Sequence, residues 1–465
     1  MKASALPLIL VLTAAFLIII SSMADFVTLE ARTAKRTIAS QRAFNIAEAG
    51  LEYYKWRLAH FPNDFQDGTG GAGPYIHPYY DPQGGQMGQF SLAITPHNSC
   101  AKAQWVDIIS TGETLEFPTV KKKLQGRYAR PSIAKYAFIT NEGVWLGPTE
   151  IARGLFHSNK GIRMDGINDS LVTSALATWN CTPSFGCGSP FQVKPGIFGS
   201  GVGGAQGLWK FPVAPIDFTL ISGDLVQIKQ AAQTSGVYIP RPSDIGYPSA
   251  KGYHIIFNND GTITVNVVKT TQFVYAYSPE THKDYKSYEV INQEAFYNTY
   301  TLPASCSAMF LEGDVWMEGQ VNGKLIIASA NLIDANIDTS VILNNNITYA
   351  STGSGLTVIA ERNIRIPLYS PNVMTLNGIF VAQKGFFGRD FYDQGHTPWH
   401  IRQQLNIKGT LLSNLQSVTQ WVNGGNTTSG YKIEDNIYDS LLATAPPPLT
   451  PFTDSDYKFV KWEEL

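Results

Sequence analysis

The sequence predicts a mostly β protein carried on one long N-terminal α-helix. Three observations predict it. Leu6 to Ala24 is a run of 19 residues without a charge, and about 20 apolar residues in a helix cross the roughly 30 Å of a bilayer's hydrocarbon. Asp25 to Ala59 contains no Pro and a single Gly, Gly50; from Phe44 its apolar positions Phe44, Ala47, Leu51, Tyr54 and Leu58 are spaced 3, 4, 3 and 4, which is one face of a helix. The remainder is low in charge (15% overall), rich in aromatics (12%) and punctuated by 41 Gly and 26 Pro, the composition of short strands joined by frequent turns.

The helix divides by its solvent. Residues 1–24 form the leader and the lipid-embedded part, with Pro7 in the first turn, where a missing N–H costs little. Residues 25–60 form the amphipathic continuation. A cleaved secretory leader is the competing reading: Met1-Lys2 is a short basic region and Ser22-Met23-Ala24 a small-x-small cleavage site. Such a leader gives no reason for helical periodicity to persist to Leu58. Flanking charge (Lys2 before the run; Arg32, Lys35, Arg36 and Arg42 after it) taken alone places the C-terminal side in the cytoplasm. Long domains translocate largely regardless of such charges, so an exported C-terminal body is expected.

Lys2-Ala3-Ser4-Ala5-Leu6-Pro7 ahead of the apolar run, with Gln41-Arg42-Ala43-Phe44-Asn45-Ile46-Ala47-Glu48-Ala49-Gly50-Leu51-Glu52, resembles the PilX-type N-terminus of bacterial type IV pilin-like proteins. That family carries R-A-F-x-A-A-E-A-G-(L/I)-E at the equivalent place. The resemblance covers about the first 60 residues. It implies a prepilin-peptidase cut between Ala3 and Ser4. It also implies a helix packed into a filament through the Phe44, Ala47, Leu51, Tyr54 and Leu58 face, and an extracytoplasmic C-terminal domain. The implied partners are other pilins, the pilus assembly machinery and the membrane. Two residues depart from the family: Ala3 stands where Gly is usual, and Leu8 occupies the fifth mature position, where major pilins carry Glu. The missing Glu suits a minor or accessory pilin-like role.

At 465 residues the chain has room for two or three domains. A net charge of −2 makes no global case for nucleic acid. Four cysteines fit an exported protein and allow three pairings. Cys181 and Cys187 form a small stapled loop, which leaves Cys100 with Cys306.

In order, residues 61–131 are expected to form a small β-sheet region, entered through a flexible hinge at Asp67–Pro74. Its basic run, Lys121–Lys123 with Arg127 and Arg130, reads as a solvated strand face; contact with anionic lipid, cell-wall polymer or DNA backbone is the functional alternative. Glu142-Gly-Val-Trp-Leu-Gly147 and Glu312-Gly-Asp-Val-Trp-Met-Glu-Gly319 look like two copies of one unit. With strands recurring between Asn and Gly corners, 132–168 and 306–415 are predicted to form a right-handed β-solenoid (β-helix), with a β-sandwich as the alternative. Residues 169–305 are an insertion holding a helix that Ser222 caps and a hairpin about Asn258–Gly261. Residues 416–465 are a C-terminal tail.

The residues do not assemble a catalytic, cofactor or metal site. Gly199-Ser-Gly201-Val-Gly203-Gly204 matches a dinucleotide loop by letter, but Pro212 and Pro215 follow where a helix is required. His396 and His400, with Asp390 and Asp393, read as a polar aromatic turn ahead of a metal site. Asp314, Glu318, Asp334 and Asp338 are scattered carboxylates. The expectation is a non-enzymatic surface protein that presents its β head for adhesion to a cell-surface or glycan ligand, or for pilus assembly. An exported carbohydrate-active β-helix enzyme and a structural membrane-anchored envelope protein are the alternatives.

Overall fold

The computed structural model describes every residue except 1–5, 101, 202–204, 335 and 455. The described residues divide into two units: those up to His97 with Trp105–Ala129 and Tyr457–Leu465, and Asn98–Gln104 with Arg130–Asp456.

The first unit is one helix on one sheet. Helix α1 (Leu6–His60) runs without a break, as a stretch free of interior Pro allows. Every large apolar side chain from Leu8 to Leu29 is exposed, and this segment is long and apolar enough to cross a membrane. Burial starts at Ala39. From there α1 lies on an antiparallel sheet ordered β1 (Tyr75–Tyr80), β2 (Gln86–Ser99), β3 (Lys102–Thr114), β4 (Lys121–Ala129) and β5 (Lys458–Glu464). Ile46, Ala47, Leu51, Tyr54 and Leu58 pack on Phe90, Leu92, Val106, Ile108, Leu124 and Tyr128.

Small residues set how closely helix and sheet approach. A Cβ on Gly112 of β3 would fall on the Ala43 carbonyl oxygen and the Ala47 nitrogen, and one on Gly50 would fall on Ser110 Oγ. The segment that resembles the pilin-like family is therefore the segment that makes this close crossing. Past the helix, Arg57 donates to Asp64 at 2.9 Å, the Tyr54 hydroxyl donates to the Asp64 carbonyl at 2.6 Å, and Asp67 meets Tyr53 and His77 at 3.1 and 2.6 Å. The stretch expected as a flexible hinge thus begins on a buried, fully engaged carboxylate, because local ion pairs outweigh its glycine content.

The second unit is built on parallel pairing between strands that are not consecutive in the chain. Ala308–Leu311 pairs with Lys324–Ser329, that strand with Gly355–Ala360, and onward through Val373–Ala382, Ile401–Ser413, Tyr136–Thr140, Leu155–Ser158 and Val172–Ser174. The register aligns Met309, Ile327, Val358, Phe380, Leu411, Phe138, Phe156 and Val172 in one buried column. Each strand alternates between that core and a second one. The helix Leu225–Ser235 covers the second core with Leu225, Ile228 and Ala232.

Three expectations change here. The segment 169–305 is not a separate insertion: Val172–Ser174 and Trp209–Lys210 extend one end of the stack, and Val237–Ile239 pairs with Ala308–Leu311 at the other. The tail 416–465 is not one piece, because Asn426–Ile437 pairs with Ile401–Ser413 while β5 completes the first unit's sheet. Asp224, not Ser222, caps the helix, its carboxylate accepting from the Gln227 N–H at 2.9 Å. Asp224 is one residue from the helix start, where a short side chain reaches that N–H. The hairpin about Asn258–Gly261 joins Gly252–Phe257 to Thr262–Tyr277, which returns along Asp284–Thr301 as a long two-stranded ribbon.

Candidate functional site

The structure buries Ala47, Leu51, Tyr54 and Leu58 under the first unit's own sheet; Phe44 is half-buried, with its ring 6.0 Å from Trp462. That face is occupied within the chain, so the expected filament packing through it is corrected: any filament contact of α1 has to use its other sides or the exposed apolar segment. The proposed cut at Ala3 and Ser4 lies outside the described residues. Cys181 is bonded to Cys187 and Cys100 to Cys306. Of the basic run, Lys121 meets Glu113 at 2.6 Å, Lys122 meets Glu464 at 2.6 Å, and Arg127 clasps Asp107 at 2.7 and 2.8 Å. These are paired strand-face charges.

The His396–His400 turn does not gather ligands. Asp393 caps it and accepts from His396 at 3.0 Å, while Asp390 turns inward to other partners. Among the described residues, no group of three or more His, Cys, Asp or Glu is placed to hold a metal. The scattered carboxylates are engaged separately: Asp314 accepts from the Ser340 N–H at 2.7 Å, Glu318 faces His254 at 3.3 Å, Asp334 accepts from the Asn336 N–H at 3.0 Å, and Asp338 meets Arg362 and Lys384 at 2.8 and 2.7 Å.

The parallel register makes a carboxylate pair that no local motif announces. Glu150 of strand Glu150–Arg153 lies directly opposite Glu434 of Asn426–Ile437. Both line a cleft of about 480 Å³ in the second unit, together with Asn436, Trp145, Trp421 and Tyr277. Glu434 is buried, and each of its oxygens takes a donor: the Thr419 hydroxyl on one, and the Asn436 amide N–H at 2.7 Å on the other. Burial raises the Glu434 carboxyl above its ordinary range, and those two donors pull it back. Burial also holds the Glu150 carboxyl well above that range, the Glu434 charge adds to the rise, and the Gly147 backbone opposes it. Asn436 is 3% exposed, and its Oδ1 has no hydrogen-bond partner.

Two other acid pairs, one buried and one at the surface around a buried histidine, carry a cation of their own. Glu289 and Asp390 sit 3.0 and 3.6 Å from the Arg365 guanidinium, and Tyr285 donates to Asp390. Burial and the Glu289 charge still push Asp390 up to about 7, against the pull of Arg365. Glu294 and Glu318 flank His254 at 2.8 and 3.3 Å. Burial of that imidazole favours its neutral form, but its bonds to Glu318 and Glu294 win and raise it.

No protein-family model and no curated protein matches the chain. Among solved structures, the crystal structure of the competence-associated pilin ComZ from Thermus thermophilus aligns with 92% of this chain and 97% of its own, at a TM-score of 0.30 and 14% identity.

Proposed function

We propose that the chain is a pilin-like surface protein of minor or accessory type. It sits in the cytoplasmic membrane as a single-pass anchor with an extracytoplasmic C-terminal body, or in a pilus. The second unit, read as a right-handed β-solenoid, is displayed for adhesion or pilus assembly and works by binding rather than by catalysis. Its partners are other pilins, the assembly machinery and a surface ligand such as a glycan. The carrying observation is α1: one unbroken helix, lipid-like and exposed over Leu8–Leu29 and seated through small residues on an antiparallel sheet from Ala39. The solenoid reading draws on parallel pairing of non-consecutive strands with one continuous apolar column. Paired cysteines suit an oxidising compartment.

Mass spectrometry of the native N-terminus tests this reading. A first residue at Ser4, with the chain recovered in sheared filaments or membranes, is expected. A first residue at Asp25 makes the protein an ordinary secreted one and overturns the proposal.

A further inference from the structure

We propose that the Glu150–Glu434 cleft is a binding site for a small organic ligand bearing a primary ammonium group. Two carboxylates face each other across adjacent strands, and Asn436, which lines the same cleft, keeps a buried carbonyl oxygen without a hydrogen-bond partner. A buried acceptor without a donor costs about 1–3 kcal/mol, so a native site that keeps one is arranged for a donor that arrives with a ligand.

Charge points the same way. Among the described residues lining the cleft, none is Lys or Arg. The neighbouring Arg163 stacks on Trp145 at 4.1 Å and is already held by Asp165 at 2.7 Å. The volume, about 480 Å³, falls within the range of small-molecule pockets. The indole N–H groups of Trp145 and Trp421 are tied to Asp165 and to the Arg389 carbonyl, at 2.9 and 3.1 Å. The two rings are thus held in place, and with Tyr277 they offer aromatic surface, which attracts an ammonium.

The same chemistry arrives on an aliphatic diamine or on an amino sugar, and calorimetry on the full chain in detergent separates them. Cadaverine and glucosamine are the probes; 1,5-pentanediol, N-acetylglucosamine and calcium chloride are the controls. At least one amine is expected to bind, with its neutral counterpart at least tenfold weaker, and the amine that binds names the source. The double variant Glu150→Gln/Glu434→Gln should lose at least tenfold in affinity. Trp421→Phe, which keeps an aromatic ring in the lining, should hold the affinity closer to wild type than Trp421→Leu does, when the two are compared at temperatures where both remain folded. The proposal falls if neither amine binds, if the neutral analogues bind as tightly, if calcium alone binds and is lost in the double variant, or if the double variant binds like wild type.

Discussion

Two acid pairs in the second unit differ in one respect. Glu289 and Asp390 close around Arg365, and among the described residues no Lys or Arg lines the cleft of Glu150 and Glu434. The first pair is a lock: Arg365 lies on the strand Ile364–Arg365, Asp390 follows Phe387–Gly388, and Glu289 and Tyr285 come from the ribbon strand Asp284–Thr301, so one guanidinium joins ribbon to stack. The second pair lines open volume. A buried carboxylate pair is tolerated only when a cation or a shared proton relieves it. Arg365 does this permanently, and the cleft leaves it to a proton or a ligand. Identical chemistry is therefore structural in one place and available for binding in the other.

The largest expected effect tests the lock. Arg365→Met leaves two buried carboxyl groups without their cation, and breaking such an ion pair costs about 3–5 kcal/mol. Chemical unfolding at pH 7 should show that loss, and a change below about 1 kcal/mol would mean that the guanidinium is replaceable and the two pairs are alike.

The next effect is a slope. Glu150 and Glu434 hold protons in the folded chain at a pH where the unfolded chain has released them, so stability falls as pH rises from the ordinary carboxylate range toward the raised values. Asp390 adds a fall of the same sign that is complete near pH 7. Glu150→Gln/Glu434→Gln should remove the share of the fall that these two carboxyls carry and leave the share of Asp390. At neutral pH it should cost less than about 1 kcal/mol, since amides need no proton to sit side by side. Equal slopes in wild type and variant would show that the cleft carboxylates titrate normally.

How far the sequence revealed these features follows from the range of the interactions. The periodicity of Phe44 to Leu58 marks the buried face of α1, because i, i+3 and i+4 spacing is local; it does not say whether a sheet of the same chain or another subunit covers that face. Strand texture in 306–415 is legible from alternating apolar runs. The order of the stack is not: Phe138 lands on Leu411 only because the chain returns there. Glu150 and Glu434 are far apart in sequence and meet by register alone, so no local motif marks them, whereas Asp314, Glu318, Asp334 and Asp338 stand in one stretch of sequence that the fold disperses. Asn436, two residues beyond Glu434 and so on the same strand face, was the available local signal.

The smallest effect lies between the two extremes, at a pair whose cation is conditional. Glu294 and Glu318 flank His254, and Asn266 and Asn344 donate to the same carboxylates at 2.9 and 3.5 Å. The folded state raises the imidazole, so its contribution is fully present below the ordinary histidine range and is lost as pH climbs through the raised value. His254→Gln keeps a side chain able to hydrogen-bond but removes the charge, and should cost on the order of 1 kcal/mol at pH 5 and less at pH 8. Unfolding of wild type and variant at the two pH values measures this directly. A gap that widens toward pH 8 would mean that the imidazole is held neutral, and would move this pair to the side of the cleft; a gap that narrows places it with Arg365, as a lock that opens when its proton leaves.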